Sequence, residues 1–210
     1  FQLYSRFRLL LTIGMKLVID DIKTAAISAY RKATLKPLVD YIQAKIDDGS
    51  ELNLNFICTH NSRRSQFAQV WSAAAANHFN VNANSFSGGI EVTACNERTI
   101  ASLKRSGIQA KARGSENPHY ELSADFIKRP LTVFSKMFDD KTNPTTNFVA
   151  IMTCSHANEN CPFIPGADER IPVRYNDPKG FDNTDMEEQM YDQRSNEIAT
   201  ELFYVFSQIK

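Results

Sequence analysis

The chain has 210 residues, and its 24 basic and 24 acidic side chains give a formal net charge of zero. Neither nucleic acid nor an anionic membrane is therefore an expected partner, because both select for an excess of positive charge. The length predicts one domain with a substantial core. Four cysteines without dense spacing argue against a secreted disulfide scaffold and indicate a reducing cytoplasm, where a disulfide is transient and catalytic.

Residues 1–50 are predicted to be an N-terminal extension with two amphipathic helices, over 20–32 and 37–48, that pack on the catalytic core. Residues 1–14 place two arginines before a run of three leucines. That apolar run is too short to span a bilayer, and no small-residue cleavage site follows it. We therefore expect residues 1–14 to be a disordered or non-native leader.

Residues 51–210 are predicted to form one α/β catalytic domain. Apolar runs and helical spacing predict strands over 52–58, 84–87, 119–123, 148–153 and 171–175, and helices over 65–77, 96–106 and 186–208. Pro172 suits an edge strand. Strands that alternate with helices predict a parallel sheet with helices on both faces. In such sheets the functional site lies beyond the carboxyl ends of the strands.

The most informative segment is Cys-Thr-His-Asn-Ser-Arg-Arg-Ser, at 58–65, on the predicted turn from a buried strand into a helix. This turn directs backbone N–H groups and the positive end of the helix dipole at one spot, which predicts an oxyanion site for arsenate or phosphate. The same field favours a thiolate at Cys58. Arg64 can bind two oxygens with its planar guanidinium. The predicted oxyanion-binding residues are Thr59, His60, Asn61, Ser62, Arg63, Arg64 and Ser65.

Two further cysteines follow a second apolar strand. Cys154 ends the strand predicted over 148–153, and Cys161 comes after six polar or small residues and directly before Pro162. Asp177 precedes another proline in a segment with turn-forming composition. The cysteines lack the short paired spacings of a metal site, so we expect no metal and no cofactor.

The cysteine loop, the two later cysteines and the Asp-Pro pair together resemble the low-molecular-weight tyrosine phosphatase superfamily, and within it the thioredoxin-coupled arsenate reductases. The resemblance covers roughly residues 52–210 and includes the strand and turn at 87–91. It implies that Cys58 attacks arsenate held by Arg64 and that Asp177 protonates the departing oxygen. It also implies that Cys154 and Cys161 carry the resulting disulfide outward, where thioredoxin reduces it.

Several positions depart from the family pattern. His60 stands where the family usually has glycine, so its side chain is expected to crowd the anion or strain the backbone. Arg63 replaces a second loop cysteine found in many relatives, and either makes the loop more positive or points to solvent. Gln69 replaces a glutamate that helps some reductases bind potassium, so that metal site is not expected. The segment 111–147 is longer than its equivalent in the family.

Two other functions stay open at this point. A phosphatase acting on phosphotyrosine or small phosphate esters needs Cys58, Arg64 and Asp177 but neither of the later cysteines. A redox-sensing or anion-binding regulatory protein, in which His60 has weakened catalysis, would bind an oxyanion without turnover. Cys95 is expected to be a buried structural thiol. His156 is expected to be a solvent-facing loop residue, although a protonated imidazole there would favour the Cys154 thiolate.

Overall fold

The structure is a computed structural model that describes residues 26–160 and 163–210. Within these residues a four-stranded parallel sheet has the order β2-β1-β6-β7, and a three-stranded antiparallel sheet has the order β3-β4-β5. The strands are β1 Leu52–Cys58, β2 Ala83–Gly89, β3 Gln109–Arg113, β4 His119–Ala124, β5 Ile127–Val133, β6 Phe148–Met152 and β7 Ala167–Pro172.

The described helices connect these strands and flank the parallel sheet. They are α1 Ala29–Asp47, α2 Arg64–His78, α3 Glu97–Arg105, α4 Ser155–Asn160 and α5 Glu187–Ser207, with a 3-10 helix at Pro178–Phe181. None of the described helices is both long and apolar enough to cross a membrane.

Strand β1 positions the site because it lies in the middle of the parallel sheet. All seven of its residues are buried, and it pairs with β2 on one side and with β6 on the other. Ile57 faces Met152 across the β1–β6 pair, so both strands end at the same edge of the sheet. The residues that follow, Cys58 and Cys154, are therefore brought together, as the rule for parallel sheets predicts.

The two faces of the sheet have unequal cover. Because side chains alternate along a strand, Leu54 and Phe56 point to one face and Ile57 to the other. The first face joins a large apolar core with side chains of α1, α2, α3 and α5. The second face has a smaller cluster, closed by Ala157 of α4 and by Phe138 of an irregular segment. The predicted parallel sheet with flanking helices is thus confirmed, with most helices on one face.

The N-terminal extension differs from the prediction. One helix, α1, runs through the expected break at 33–36 and carries Pro37 in its interior. Ser28 caps it by accepting a hydrogen bond from the Arg31 N–H. Arg31 also forms a bidentate ion pair with the buried Glu201 of α5, at 2.5 and 2.6 Å, which ties α1 to the core. The start of the first predicted helix and the whole 1–14 segment lie outside the described residues.

The antiparallel sheet is the main element that the sequence analysis missed, since only its middle strand, at 119–123, was predicted. Strand β3 has the sequence Gln-Ala-Lys-Ala-Arg and is mostly exposed; its only apolar residues are two alanines, which give a weak strand signal. Strand β5 contains Pro130 and two basic residues. The edge position of β7 agrees with the prediction from Pro172, although the strand lies at 167–172 and not at 171–175.

Candidate active site

A directed chain of hydrogen bonds ends at the Cys58 sulfur. The Lys136 backbone N–H donates to Asn61 Oδ1 at 3.1 Å, which fixes the orientation of the Asn61 amide. Asn61 Nδ2 then donates to Ser65 Oγ at 2.9 Å. Ser65 Oγ lies 3.0 Å from Cys58 Sγ. Since Ser65 already accepts from Asn61, its own hydrogen is free to donate to the sulfur, and a thiolate is the better acceptor.

The backbone of the loop turns at Asn61 and not at His60. Asn61 has a φ of +46°, the left-handed region that asparagine tolerates better than most residues. His60 is absent from that region, and its Nε2 lies 3.1 Å from a carboxylate oxygen of Glu91. The expectation that His60 strains the backbone is therefore wrong, and its imidazole is engaged with an exposed carboxylate beside the loop.

Arg64 begins helix α2, and its guanidinium is partly engaged. Nη2 donates to Asp177 Oδ2 at 2.6 Å, and Nη1 donates to the Tyr175 carbonyl at 3.2 Å. Nε is buried and has no hydrogen-bond partner among the described residues. A buried donor without a partner is costly, so Nε is available for an oxyanion. Asp177 Oδ1 also accepts from the Lys179 N–H and so caps the 3-10 helix.

Arg63 is buried, so the expectation that it points to solvent is wrong. Its Nε donates to the Tyr191 hydroxyl at 2.7 Å, and its Nη2 donates to Asp182 at 3.2 Å. Tyr191 also donates to Asp182 at 2.7 Å, and burial is the main cause of the raised pKa of its hydroxyl. The positive charge of Arg63 is therefore balanced by Asp182 outside the loop.

Four of the predicted oxyanion-binding side chains have other partners. Thr59 contacts Cys154 and His156, His60 contacts Glu91, Ser62 donates to the Ala94 carbonyl at 2.7 Å, and Arg63 contacts Tyr191 and Asp182. Contact of these four side chains with an anion stays a prediction. Asn61 and Ser65 are the predicted residues whose side chains lie in the hydrogen-bond network of Cys58, and Arg64 carries the buried Nε without a partner among the described residues.

Cys154 lies against the cysteine loop. Its Sγ is 3.4 Å from Thr59 Oγ1, and the Ala157 N–H donates to it at 3.3 Å. The thiol is buried, with a residue exposure of 1%. Cys161 and Pro162 lie outside the described residues.

The irregular segment after β5 supports the loop, and the sequence carried no signal for this role. Ser135 Oγ donates to the His60 carbonyl at 2.7 Å, and the Lys136 carbonyl accepts from the Gly89 N–H at 2.8 Å. Gln66, in the first turn of α2, donates to the Asn61 carbonyl at 2.7 Å and is fully buried. A Cβ on Gly89 would lie 2.8 Å from the Thr59 carbonyl, so only glycine allows this close approach.

Lys136 itself is a buried cation behind the loop. Its residue exposure is 4%, and burial lowers the pKa of its ammonium from 10.5 to about 8. The folded state therefore binds fewer protons than the unfolded state between about pH 8 and 10.5, and the stability of the parent rises through that window.

We expect Lys136→Met to increase the free energy of unfolding below about pH 8 by roughly 3 kcal/mol, which is the free-energy equivalent of this pKa change. The increase should fade as the pH rises from about 8 to beyond 10.5, because the Lys136 amine becomes neutral first in the folded state and then in the unfolded state. Urea unfolding of both proteins across this range measures it. Lys141→Met, at an exposed neighbour, is the control. A gain that is independent of pH would contradict this account.

Cys95 is buried, as predicted, and burial raises the pKa of its thiol to about 12. A cleft of about 520 Å³ lies beside it, bordered by His60, Ser62, Arg63, Tyr120 and Lys179. Among the described residues, no three histidine, cysteine or acidic side chains are grouped closely enough to hold a metal ion.

The fold of the described chain is that of the low-molecular-weight phosphatases. The low-molecular-weight phosphotyrosine phosphatase VcLMWPTP-2 from Vibrio cholerae O395 superposes with a TM-score of 0.50 at 11% identity, and the match covers 74% of this chain and 94% of that one. The predicted superfamily fold is confirmed by this match and by the parallel sheet.

The sequence is similar to curated arsenate reductases. The protein from Brevibacillus brevis is 28% identical over 126 residues, which are 60% of this chain and 75% of the relative. The protein from Bacillus licheniformis is 26% identical over 147 residues, which are 69% and 87% of the two chains. No protein-family model matches the sequence. The resemblance to arsenate reductases inferred from the cysteine pattern is therefore confirmed.

Proposed function

We propose that this protein is an arsenate reductase in which Cys58, Cys154 and Cys161 form a thiol relay and thioredoxin regenerates the reduced state. The contact between Thr59 of the cysteine loop and the Cys154 sulfur carries this proposal. It sets a second thiol at the edge of the oxyanion site, on the neighbouring strand, and a phosphatase has no use for such a thiol. Thioredoxin as a partner implies a reducing compartment, and we propose the cytoplasm.

The first step is attack of the Cys58 thiolate on the arsenic of arsenate. Backbone N–H groups of 59–65 and the free Nε of Arg64 hold the anion and stabilise the added charge of the transition state. An S–As bond forms, and one arsenate oxygen leaves as water after it takes a proton from Asp177. Arg64 is bonded to Asp177 in this structure, so the anion competes with that carboxylate for the guanidinium.

The second and third steps transfer the oxidation to the other two cysteines. The Cys154 thiolate attacks the Cys58 sulfur, an S–S bond forms, and the S–As bond breaks so that its electron pair leaves with arsenic as arsenite. Arsenic is thereby reduced by two electrons and two thiols are oxidised. Cys161 then attacks Cys154 and releases the Cys58 thiolate, and thioredoxin reduces the Cys154–Cys161 disulfide.

We propose that helix α4 unwinds during the third step. Residues seven apart in a helix are separated by about 10 Å, at about 1.5 Å of rise per residue. The Cα atoms of a disulfide must approach within about 7 Å. Ser155–Asn160 is helical in this structure, and we propose that this segment changes its conformation when the Cys154–Cys161 bond forms.

We expect arsenate to produce a Cys154–Cys161 disulfide in the fully reduced protein when no thioredoxin is present. Cys161→Ser should instead trap a Cys58–Cys154 disulfide, because the relay stops one step earlier. Peptide mapping by mass spectrometry under non-reducing conditions identifies each bond. Cys95→Ser is the matched control and should give the same bonds as the parent, since Cys95 is buried and its thiol has a pKa of about 12.

A phosphatase is the second candidate, because Cys58, Arg64 and Asp177 alone suffice for hydrolysis of a phosphate ester through a phosphocysteine. The phosphatase proposal would replace the reductase proposal if two results were found together. The parent and Cys154→Ser would hydrolyse an aryl phosphate at equal rates, and arsenate would produce no disulfide. The third possibility is a regulatory protein in which His60 has weakened catalysis. The absence of His60 from the left-handed backbone region argues against it, and binding of arsenate without turnover or disulfide formation would support it.

A further inference from the structure

The Thr59 hydroxyl lies between a buried thiol and an exposed imidazole. Thr59 Oγ1 is 3.4 Å from Cys154 Sγ and 3.3 Å from His156 Nδ1. Cys154 has a residue exposure of 1%, while His156 is exposed. The expectation that His156 is a solvent-facing loop residue is therefore only partly correct: the residue is exposed, but it lies on α4 and its Nδ1 contacts the cysteine loop.

This arrangement addresses a requirement of the second step of the proposed relay. Only a thiolate attacks another sulfur, so Cys154 must first lose its proton. Bulk water has little access to this sulfur, so the proton needs an acceptor within the protein. A hydroxyl can accept one hydrogen bond and donate another. Thr59 can therefore accept from the Cys154 S–H and donate to an unprotonated His156 Nδ1.

We propose that His156 is the proton acceptor for Cys154 and that the Thr59 hydroxyl carries the proton between them. The S–H proton moves to Thr59 Oγ1 as the hydroxyl proton moves to His156 Nδ1, which leaves a Cys154 thiolate and an imidazolium. The imidazolium stays beside the thiolate, and its positive charge stabilises the thiolate through the Thr59 hydroxyl. The Ala157 N–H, 3.3 Å from the sulfur, stabilises the thiolate. The use of this thiolate in arsenate reduction rests on the proposed function.

The charged and titratable groups of the elements packed around α4 are few. Cys58 ends β1, Glu159 lies on α4 itself, and Arg170 of β7 donates to the Asn158 carbonyl. None of the hydrogen bonds among the described residues places a carboxylate on His156. Thr59 is therefore the group that can donate a proton to the His156 imidazole.

The test measures the reactivity of Cys154 without any arsenate chemistry. In a Cys58→Ser/Cys161→Ser background, iodoacetamide labelling followed by peptide mapping reports the alkylation rate of Cys154 between about pH 6 and 10. We expect His156→Gln to slow this alkylation at about pH 7 by at least about tenfold, which is the thiolate fraction lost when a neighbouring positive charge is removed. Thr59→Val should have the same effect, and the double variant should lose no more than either single one.

The pH profile separates proton transfer from a purely structural role. At about pH 10 hydroxide can ionise Cys154 directly, so the variants should approach the parent rate. Thr59→Ser retains the hydroxyl and should match the parent, as should Glu159→Gln, an exposed change on the same helix. The proposal is overturned if His156→Gln and the parent show equal rates of Cys154 alkylation at about pH 7. It is also overturned if the variant is alkylated more slowly than the parent at every pH.

Failure of this inference can be distinguished from failure of the proposed function. If arsenate still traps Cys58–Cys154 in Cys161→Ser while His156→Gln leaves the Cys154 alkylation rate unchanged, the reductase proposal holds and the role of His156 is wrong. If His156→Gln slows alkylation but arsenate produces no disulfide, the proton path is correct and the reductase proposal fails.

Discussion

Replacing Cys58 by serine is expected to abolish turnover with every oxyanion substrate, by at least about 10⁴-fold, the order of loss seen when a nucleophile is removed. The serine hydroxyl would keep the hydrogen bond from Ser65 but stays protonated near neutral pH, so it cannot attack arsenate. Arsenate-dependent oxidation of thioredoxin, and separately hydrolysis of an aryl phosphate, measure the loss. Cys95→Ser is the control and should retain the parent rates.

A residual rate in Cys58→Ser close to that of the parent would contradict the assignment of the nucleophile. Alkylation of the reduced parent protein gives an independent check. Cys58 should react first near neutral pH, and phosphate, sulfate or arsenate should slow its reaction by occupying the same site. Cys95 should react last, since burial raises the pKa of its thiol to about 12. Preferential labelling of Cys95, or labelling of Cys58 that none of these anions slows, would show that the anion site lies elsewhere.

Asp177→Asn is expected to slow formation of the arsenate adduct by about 10²–10⁴-fold, the usual contribution of general acid catalysis. Anion binding should survive, because Arg64 and the loop N–H groups are unchanged. Binding should even strengthen, since the variant removes the carboxylate that holds Arg64 Nη2 at 2.6 Å. Single-turnover kinetics measure the adduct, and protection of Cys58 from alkylation measures anion binding.

The matched control for this variant is Asp182→Asn. Asp182 is also an acidic partner of a loop arginine, but it binds Arg63 and Tyr191 and not Arg64. Asp182→Asn should leave the rate of adduct formation close to that of the parent and should lower only the free energy of unfolding, because it weakens the contacts with Arg63 and Tyr191. An unchanged rate in Asp177→Asn would place the acid elsewhere, and equal losses in both variants would show that Asp177 acts by supporting the arginines.

The parts of the fold nearest the site were predictable because their signals are local. Strand β1 is buried on both faces, and all of its residues except two asparagines are apolar. Helix α2 follows directly and starts at the residue predicted to bind the anion, Arg64. These two elements alone place Cys58 at a strand end and the loop that follows it before a helix start at Arg64. The prediction of the cysteine loop needed nothing from the rest of the chain.

The partners of the loop were not predictable, because they come from distant segments that carry no pattern of their own. Arg63 meets Tyr191, which is 128 residues away, and no spacing rule connects them. Ser135 and Lys136 bind the loop 75 residues from their partners, and they follow an antiparallel sheet with weak apolar alternation. Sequence reasoning could therefore propose the residues of the cysteine loop but not the distant partners that hold their side chains.

The unequal cover of the parallel sheet has a consequence for how a relay of this kind can cycle. The face under α1, α2, α3 and α5 contains the large aromatic side chains, among them Trp71, Phe67 and Phe203. The other face is closed by α4, which contributes the small side chain of Ala157 to the cluster that contains both Cys58 and Cys154. The free energy needed to open a segment rises with the apolar surface that the opening exposes. Each catalytic cycle can therefore open and reclose the lightly packed layer, while the heavily packed layer keeps the oxyanion loop assembled for the next substrate.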